Sequence, residues 1–279
     1  MLFKGKYILG AIDGTGSRVW RKPDGSNSHT FLFEQDFITQ GGYKDYWHGP
    51  GGREVDTYAG IDLGEAAGLG SAEIIQKVRG FIIKNIYQIT GLRLYKRFLS
   101  LSKKKQRYLR EVTEDEVRIC LVGHSRGAYL CILIAQLLSL PVYYMALYDA
   151  VDRHNTPDEL NTEKIINVDH VSHALRDPAA NSRSGPFPAL DFSNTGLQIA
   201  KGKVMNKKFF YTTHGGVGGD VGIHPKGFVS DYASKCNVDT LQANIELYMG
   251  FSREKKCTTG SKAADIWIRE EARSLGLKF

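Results

Sequence analysis

The sequence predicts an α/β fold: a mostly parallel sheet with helices on both faces. Three observations lead there. "KYILGAI", "EVRICLVG" and "VYYMALYDAV" are short, nearly continuous apolar runs, as expected of parallel strands covered on both sides. Stretches of helical periodicity separate them. At 279 residues the chain is long enough for one large domain with a substantial core, and residues 1–279 are read as a single domain.

Residues 6–12 form the first predicted strand, followed at once by the turn "DGTG". Residues 43–52, "YKDYWHGPGG", read as a short strand ending in a second glycine turn. In "SAEIIQKVRGFIIKNIYQI" the apolar residues Ile74, Val78, Ile82 and Ile86 recur every fourth position, which predicts an amphipathic helix lying on the sheet. Ser71 stands where it could cap that helix. The strand at 116–123 comes next, then a helix over about 126–139 and a strand over 142–149. Residues 150–205 are polar and rich in Pro, Asn and Ser, and they read as an irregular lid or substrate-side insertion. "KKFFYTT" at 207–213 is the last clear strand. "TLQANIELYMGF" and "ADIWIREEARSLG" read as two closing helices.

Composition limits the function classes. Apolar residues make up 42% of the chain, which places it among ordinary globular proteins. The formal charge is +7, with a basic run through Arg93, Lys96, Arg97, Lys103, Lys104, Lys105, Arg107 and Arg110. An anionic membrane surface is one partner for such a run, and a solvated helix face is the plainer reading. No nucleic-acid-reading motif accompanies it, so no nucleic acid partner is expected. No protein partner is legible. Cys120 and Cys131 lie in apolar runs, Cys236 and Cys257 elsewhere, and none forms C-x-x-C. Neither a metal nor a cofactor is expected. "AYLCILIAQLLSLPVYYMAL" is uncharged over a membrane-spanning length, but Pro141 divides it into a buried helix and a buried strand. The N-terminus has no apolar h-region with a cleavage site. The expectation is a soluble chain, cytoplasmic or exported without such a signal.

"VGHSRGAYL" at 122–130 carries the chemistry. Gly123, Ser125 and Gly127 match G-x-S-x-G, with a strand before and a helix after, which is the setting of the nucleophile elbow in α/β-hydrolase folds. The turn is so tight that side chains at 123 and 127 would strike the neighbouring strand or helix. Ser125 would sit at a helix N-terminus, where negative charge is favoured. The competing reading is a serine N-cap after a buried strand.

A nucleophilic serine needs a base and an acid to orient it. In this fold the chain order is Ser, acid, His. One strand end supplies Asp149, with Asp152 as competitor, and another supplies His214. The oxyanion needs N–H donors. Arg126 is expected to supply one. Gly14 or Thr15 in "DGTG" is expected to supply the second, with "HGPGG" as the alternative.

Several stretches recur together in one order. "AIDGTG", "GHSRGAYL", "LYDAV", "HALRD", "FFYTTHGGVGGDVG" and "ADIWIREEARSLGLKF" resemble the α/β-hydrolase-like domain family that includes the phospholipase effectors of type VI secretion systems. The resemblance implies a Ser–Asp–His lipase or esterase with Ser125 as nucleophile, Asp149 as acid and His214 as base. Such proteins carry His-Ser-Asp-Val-Gly-Gly; here "HGGVGGD" places Asp220 six residues after the histidine instead of two. Asp13, His173 and Asp220 stand as substrate-side candidates.

The expected function is therefore a serine hydrolase acting on carboxylic esters, with acyl esters of phospholipids as the implied substrate. The alternative is a non-catalytic module of the same fold that holds an anionic ligand on backbone N–H groups of its glycine-rich turns. A phosphoryl-transfer enzyme is disfavoured because no G-x-x-x-x-G-K-[ST] loop is present.

Overall fold

A computed structural model describes residues 3–15, 27–50, 70–91, 115–138, 140–151, 163–177, 194–212, 214–219 and 259–279. Six strands form one parallel sheet: β1 (Lys6–Ile12), β2 (Tyr43–Trp47), β3 (Val117–His124), β4 (Val142–Tyr148), β6 (Val168–Arg176) and β8 (Val204–Phe210). Their spatial order is β2-β1-β3-β4-β6-β8. Two short strands, β5 (Lys164–Ile165) and β7 (Gln198–Ile199), pair beside the sheet. The fold class is α/β, as expected.

The alternation of side chains along each strand divides the core in two. Ile8 and Ile12 of β1 and Ile119 and Leu121 of β3 face one layer. There they meet Val78, Ile82 and Ile86 of helix α2 (Ser71–Thr90) and the apolar helix α3 (Arg126–Leu137). Tyr7, Leu9, Ala11, Cys120 and Val122 point the other way. They pack against Phe33 of helix α1 (His29–Asp36), Phe37 just beyond it, and Ala264, Ile268 and Ala272 of a helix over residues 259–274.

α2 falls where its four-residue periodicity placed it, but its cap does not. Gly70, at φ 94°, holds the N-cap position, and Ser71 is the first helical residue. Pro141 separates α3 from β4 as expected, and among the described residues no helix is long and apolar enough to cross a membrane. Cys120 and Cys131 are buried free thiols, and burial raises both well above the ordinary thiol range. The basic run from Arg93 to Arg110, the predicted helix "TLQANIELYMGF", Cys236 and Cys257 lie outside the described residues.

The larger correction concerns residues 150–205. They are not an irregular insertion throughout, because β6 is a nine-residue strand in the sheet between β4 and β8. His170, Ser172 and His173 gave this stretch a polar look. The last two are nevertheless buried, His173 with its ring hydrogen-bonded inside the fold. Helix α1 was not foreseen at all. It carries no strong apolar stripe, and it is started by Ser28, whose side chain accepts from the Phe31 N–H.

This topology places the site. β2 and β3 lie on opposite sides of β1, so the direction of strand addition reverses there. In open parallel sheets ligands bind at the carboxyl ends of strands, beside such a reversal. Asp13 follows β1, Ser125 follows β3, Asp149 follows β4, and His214 lies four residues beyond β8.

Candidate active site

Ser125 occupies the turn between β3 and α3 with φ 54° and ψ −124°, outside the extended conformation of an ordinary N-cap. Its side chain makes no capping hydrogen bond. Such backbone geometry costs on the order of 1–3 kcal/mol and persists only where surrounding contacts impose it. Here the Ser125 N–H donates to the Tyr148 carbonyl, and the Ser125 carbonyl accepts from Tyr129 and Val151. The motif glycines are required by space. A Cβ on Gly123 would lie 2.6 Å from the Ala128 nitrogen, and one on Gly127 would lie 2.2 Å from the Ile12 carbonyl oxygen.

Ser125 Oγ lies 2.8 Å from Nε2 of His214, and Nδ1 of the same ring lies 2.7 Å from Oδ2 of Asp149. A carboxylate facing Nδ1 makes that nitrogen the donor, which leaves Nε2 as acceptor for the serine hydroxyl. All three side chains are buried, Ser125 being 8% exposed and Asp149 fully enclosed. Sequence order left Asp149 and Asp152 both open as the acid. Asp149 is the one in contact with His214, and Asp152 lies outside the described residues.

Asp149 also has an unusual backbone, with φ 49°, and a well-furnished carboxylate. Oδ1 accepts from the Arg176 N–H at 3.1 Å and from the Asn194 side chain at 2.6 Å, while Arg176 Nη1 stands 3.6 Å from Oδ2. Burial works against the charged carboxylate. The hydrogen bond and charge of His214, with Arg176 and Asn194, outweigh it and hold the acid at about 2. His214 is moved below its ordinary value, mainly because burial penalises the imidazolium, and Asp149 only partly offsets that. Neither Arg176 nor Asn194 was among the expected residues. Arg176 sits in the quoted stretch "HALRD", whereas nothing local marks Asn194, which reaches the site through a bridge between Val151 and Asn194.

Two substrate-side expectations are corrected. Asp13 is buried and directs its carboxylate into the protein. It accepts from the Gly14 N–H at 2.8 Å, the Tyr46 hydroxyl at 2.8 Å and the Ser28 hydroxyl. Burial opposes its ionisation, but the adjoining His124 ring and these donors together keep it below the usual carboxylate range. His173 is fully buried, with Nε2 accepting from the Ala150 N–H and Nδ1 bonded to the Gly196 carbonyl. Burial pushes it down to about 4, so it is neutral and holds the turn after Asp149. The third candidate, Asp220, lies outside the described residues.

The expected oxyanion donors are placed as follows. Arg126 is the first residue of α3, where backbone N–H groups face the helix start. Gly14 lies against the serine, since a Cβ there would be 3.2 Å from Ser125 Cβ. Its N–H, however, is turned onto Asp13, so Gly14 is not the second donor. Thr15 follows in the same turn. Of the alternative turn "HGPGG", Gly49 packs on it, since a Cβ there would lie 2.0 Å from the Gly14 carbonyl oxygen, and Gly51 and Gly52 lie outside the described residues.

No family model matches the chain, and no curated protein matches it. Among solved structures it is similar to one described as an uncharacterized protein from Pseudomonas aeruginosa, at 17% identity and a TM-score of 0.45. The alignment covers 77% of this chain and 42% of that one, so the chain spans under half the length of that protein.

Proposed function

We propose that this protein is a serine hydrolase of the α/β-hydrolase kind, cleaving carboxylic esters through Ser125, His214 and Asp149. The observation that carries the reading is the continuous hydrogen-bonded path from Ser125 Oγ through His214 to Asp149, built on a strained turn at a helix N-terminus. Neutral His214 takes the hydroxyl proton at Nε2 as Ser125 Oγ attacks the ester carbonyl carbon. Asp149 stabilises the imidazolium that forms. The N–H groups of Arg126 and Thr15 receive the developing oxyanion. Collapse breaks the ester C–O bond, and His214 returns the proton to the departing alcohol. Water then hydrolyses the acyl-serine by the same route and releases the acid.

The substrate class follows from the sequence resemblance: acyl esters of phospholipids, met at an anionic membrane surface. The rival reading, in which the glycine-rich turns hold an anion, is weakened by the inward-facing Gly14 N–H. A fluorophosphonate probe tests the proposal. The wild type is expected to be labelled at one serine and Ser125→Ala not at all. A folded wild type that resists the probe and turns over no short acyl ester would refute it.

A further inference from the structure

Behind the triad stands a second histidine that the proposed chemistry does not use. His124 immediately precedes Ser125 and is buried. Its Nε2 lies 3.1 Å from the carbonyl oxygen of His214. A carbonyl only accepts, so Nε2 carries the proton and donates it. The two rings lie 5.1 Å apart between centroids, inclined by 33°. The other face of His124 meets Asp13, whose Oδ1 is 3.8 Å from Nδ1, too far for a hydrogen bond.

The space for this ring is made by glycine. A Cβ on Gly218 would lie 2.4 Å from the His124 ring, and one on Gly14 would lie 2.7 Å from its Nδ1. His29 completes the support. Its Nδ1 bonds the Val217 carbonyl at 3.0 Å, and its backbone N–H bonds the Gly218 carbonyl at 2.9 Å. The carbonyls of residues 214, 217 and 218 are thus all held by two histidines from distant parts of the chain. Asp13 joins the supports, because it faces His124 and accepts from Ser28, the residue before His29. Gly218 and Gly219 let the turn that bears His214 lie directly on His124 and His29.

We propose that His124 is a positioning residue for His214: its Nε2–H, donated to the His214 carbonyl, sets the distance from His214 Nε2 to Ser125 Oγ. The inference rests on the serine-hydrolase reading for its kinetic consequence but not for its geometry. A misplacement of about 1 Å at a reacting pair lowers rate by about 10²-fold.

The test compares His124→Phe, which keeps a ring and loses the donor, with His124→Gln, which keeps an N–H of similar reach. Turnover of a short acyl ester is read with thermal melting. His124→Phe is expected to lower kcat by about 10²-fold with KM unchanged, and His124→Gln to restore most of it. Wild-type kcat in His124→Phe, or equal loss in both variants, would overturn the proposal. Should His124→Phe not fold, His124→Asn replaces it, since its shorter amide stops on the Asp13 side. Equal kcat in the Asn and Gln variants would then overturn the idea. A second readout needs no turnover: the low-field proton resonance of His214 Nδ1–H facing Asp149. It is expected to shift or vanish in His124→Phe (or His124→Asn) and return in His124→Gln. An unchanged resonance in the donor-free variant refutes the positioning role even if the wild type proves inert to ester and probe. Inertness with the expected resonance pattern refutes only the hydrolase reading.

Discussion

The backbone N–H of Arg176 donates to Oδ1 of Asp149 across 3.1 Å, so the acid that follows β4 is fixed by the end of the neighbouring strand β6. With Oδ1 occupied by Arg176 and Asn194, Oδ2 is left to face His214. The acid therefore has one orientation, and its ionisation is tied to the folded state. Its folded pKa, about 2, lies below the roughly 3.9 of an unfolded aspartate. The stabilisation it contributes is present above pH ~3.9 and is lost as pH falls through about 2. Asp149→Asn is expected to flatten the dependence of unfolding free energy on pH across that window and to lower kcat by on the order of 10⁴-fold. Denaturant melts from pH 5 to pH 2 and steady-state kinetics read the two effects separately.

The activity profile should report His214. In the proposed mechanism its neutral form is the base, and burial moves its pKa below the ordinary ~6.5. With the ring buried, kcat/KM should rise with pH through an inflection below the ordinary ~6.5 and be level at neutrality. The same depressed pKa means that protonation disfavours the fold, so this contribution to stability weakens as pH drops below ~6.5. An inflection above pH 7 would show that Asp149, and not burial, governs the ring.

Chelation separates this mechanism from a metal-dependent one. The triad as built needs no cation, so EDTA is expected to leave ester turnover unchanged. If EDTA silences the wild type and Asp220→Ala copies that loss, a cation near the glycine loop is part of the chemistry.

Legibility followed local pattern. β1, β3, β4 and α3 are apolar runs bounded by turns, and Ser125, Asp149 and His214 stand at strand ends in an order the elbow motif predicts. β6 was missed because a buried histidine looks polar in a sequence, and only its partners Ala150 and Gly196 make it a core residue. Asn194 reaches Asp149 across forty-five positions, and no periodicity encodes that contact. His124 was in plain view inside the motif. Its role depends on a carbonyl ninety residues away.

His173 offers a test of the buried scaffold. Replacing it with leucine keeps volume and strands two backbone groups, the Ala150 N–H and the Gly196 carbonyl. Each unsatisfied group costs about 1–3 kcal/mol. His173→Leu should therefore lose about 2–6 kcal/mol, a fall of several degrees or more in Tm for a domain of this size. Because Ala150 adjoins Asp149, the surviving folded fraction should also show reduced kcat. Wild-type Tm in His173→Leu would mean that the ring is not a structural tie.

Gly127 tests the elbow from the opposite side. It belongs to the first turn of α3, and its missing side chain lets that turn touch the end of β1. An added Cβ would approach the carbonyl oxygens of Ile12 and Asp13 to 2.2 and 2.3 Å. These are backbone atoms at the carboxyl end of β1, so they have no rotamer into which to escape. β1 is paired on both sides by β2 and β3 and has little freedom to withdraw. The helix must move instead, carrying the Arg126 N–H away from Ser125. Gly127→Ala is therefore expected to cost about 1–3 kcal/mol of overpacking and to slow fluorophosphonate labelling more than it lowers Tm would suggest. Gly80→Ala is the control. It lies in the middle of α2 with open space around its Cβ position, and it should stabilise slightly through helix propensity, by about 0.5–1 kcal/mol. Equal labelling rates in the two variants would show that the close approach at Gly127 does not shape the nucleophile.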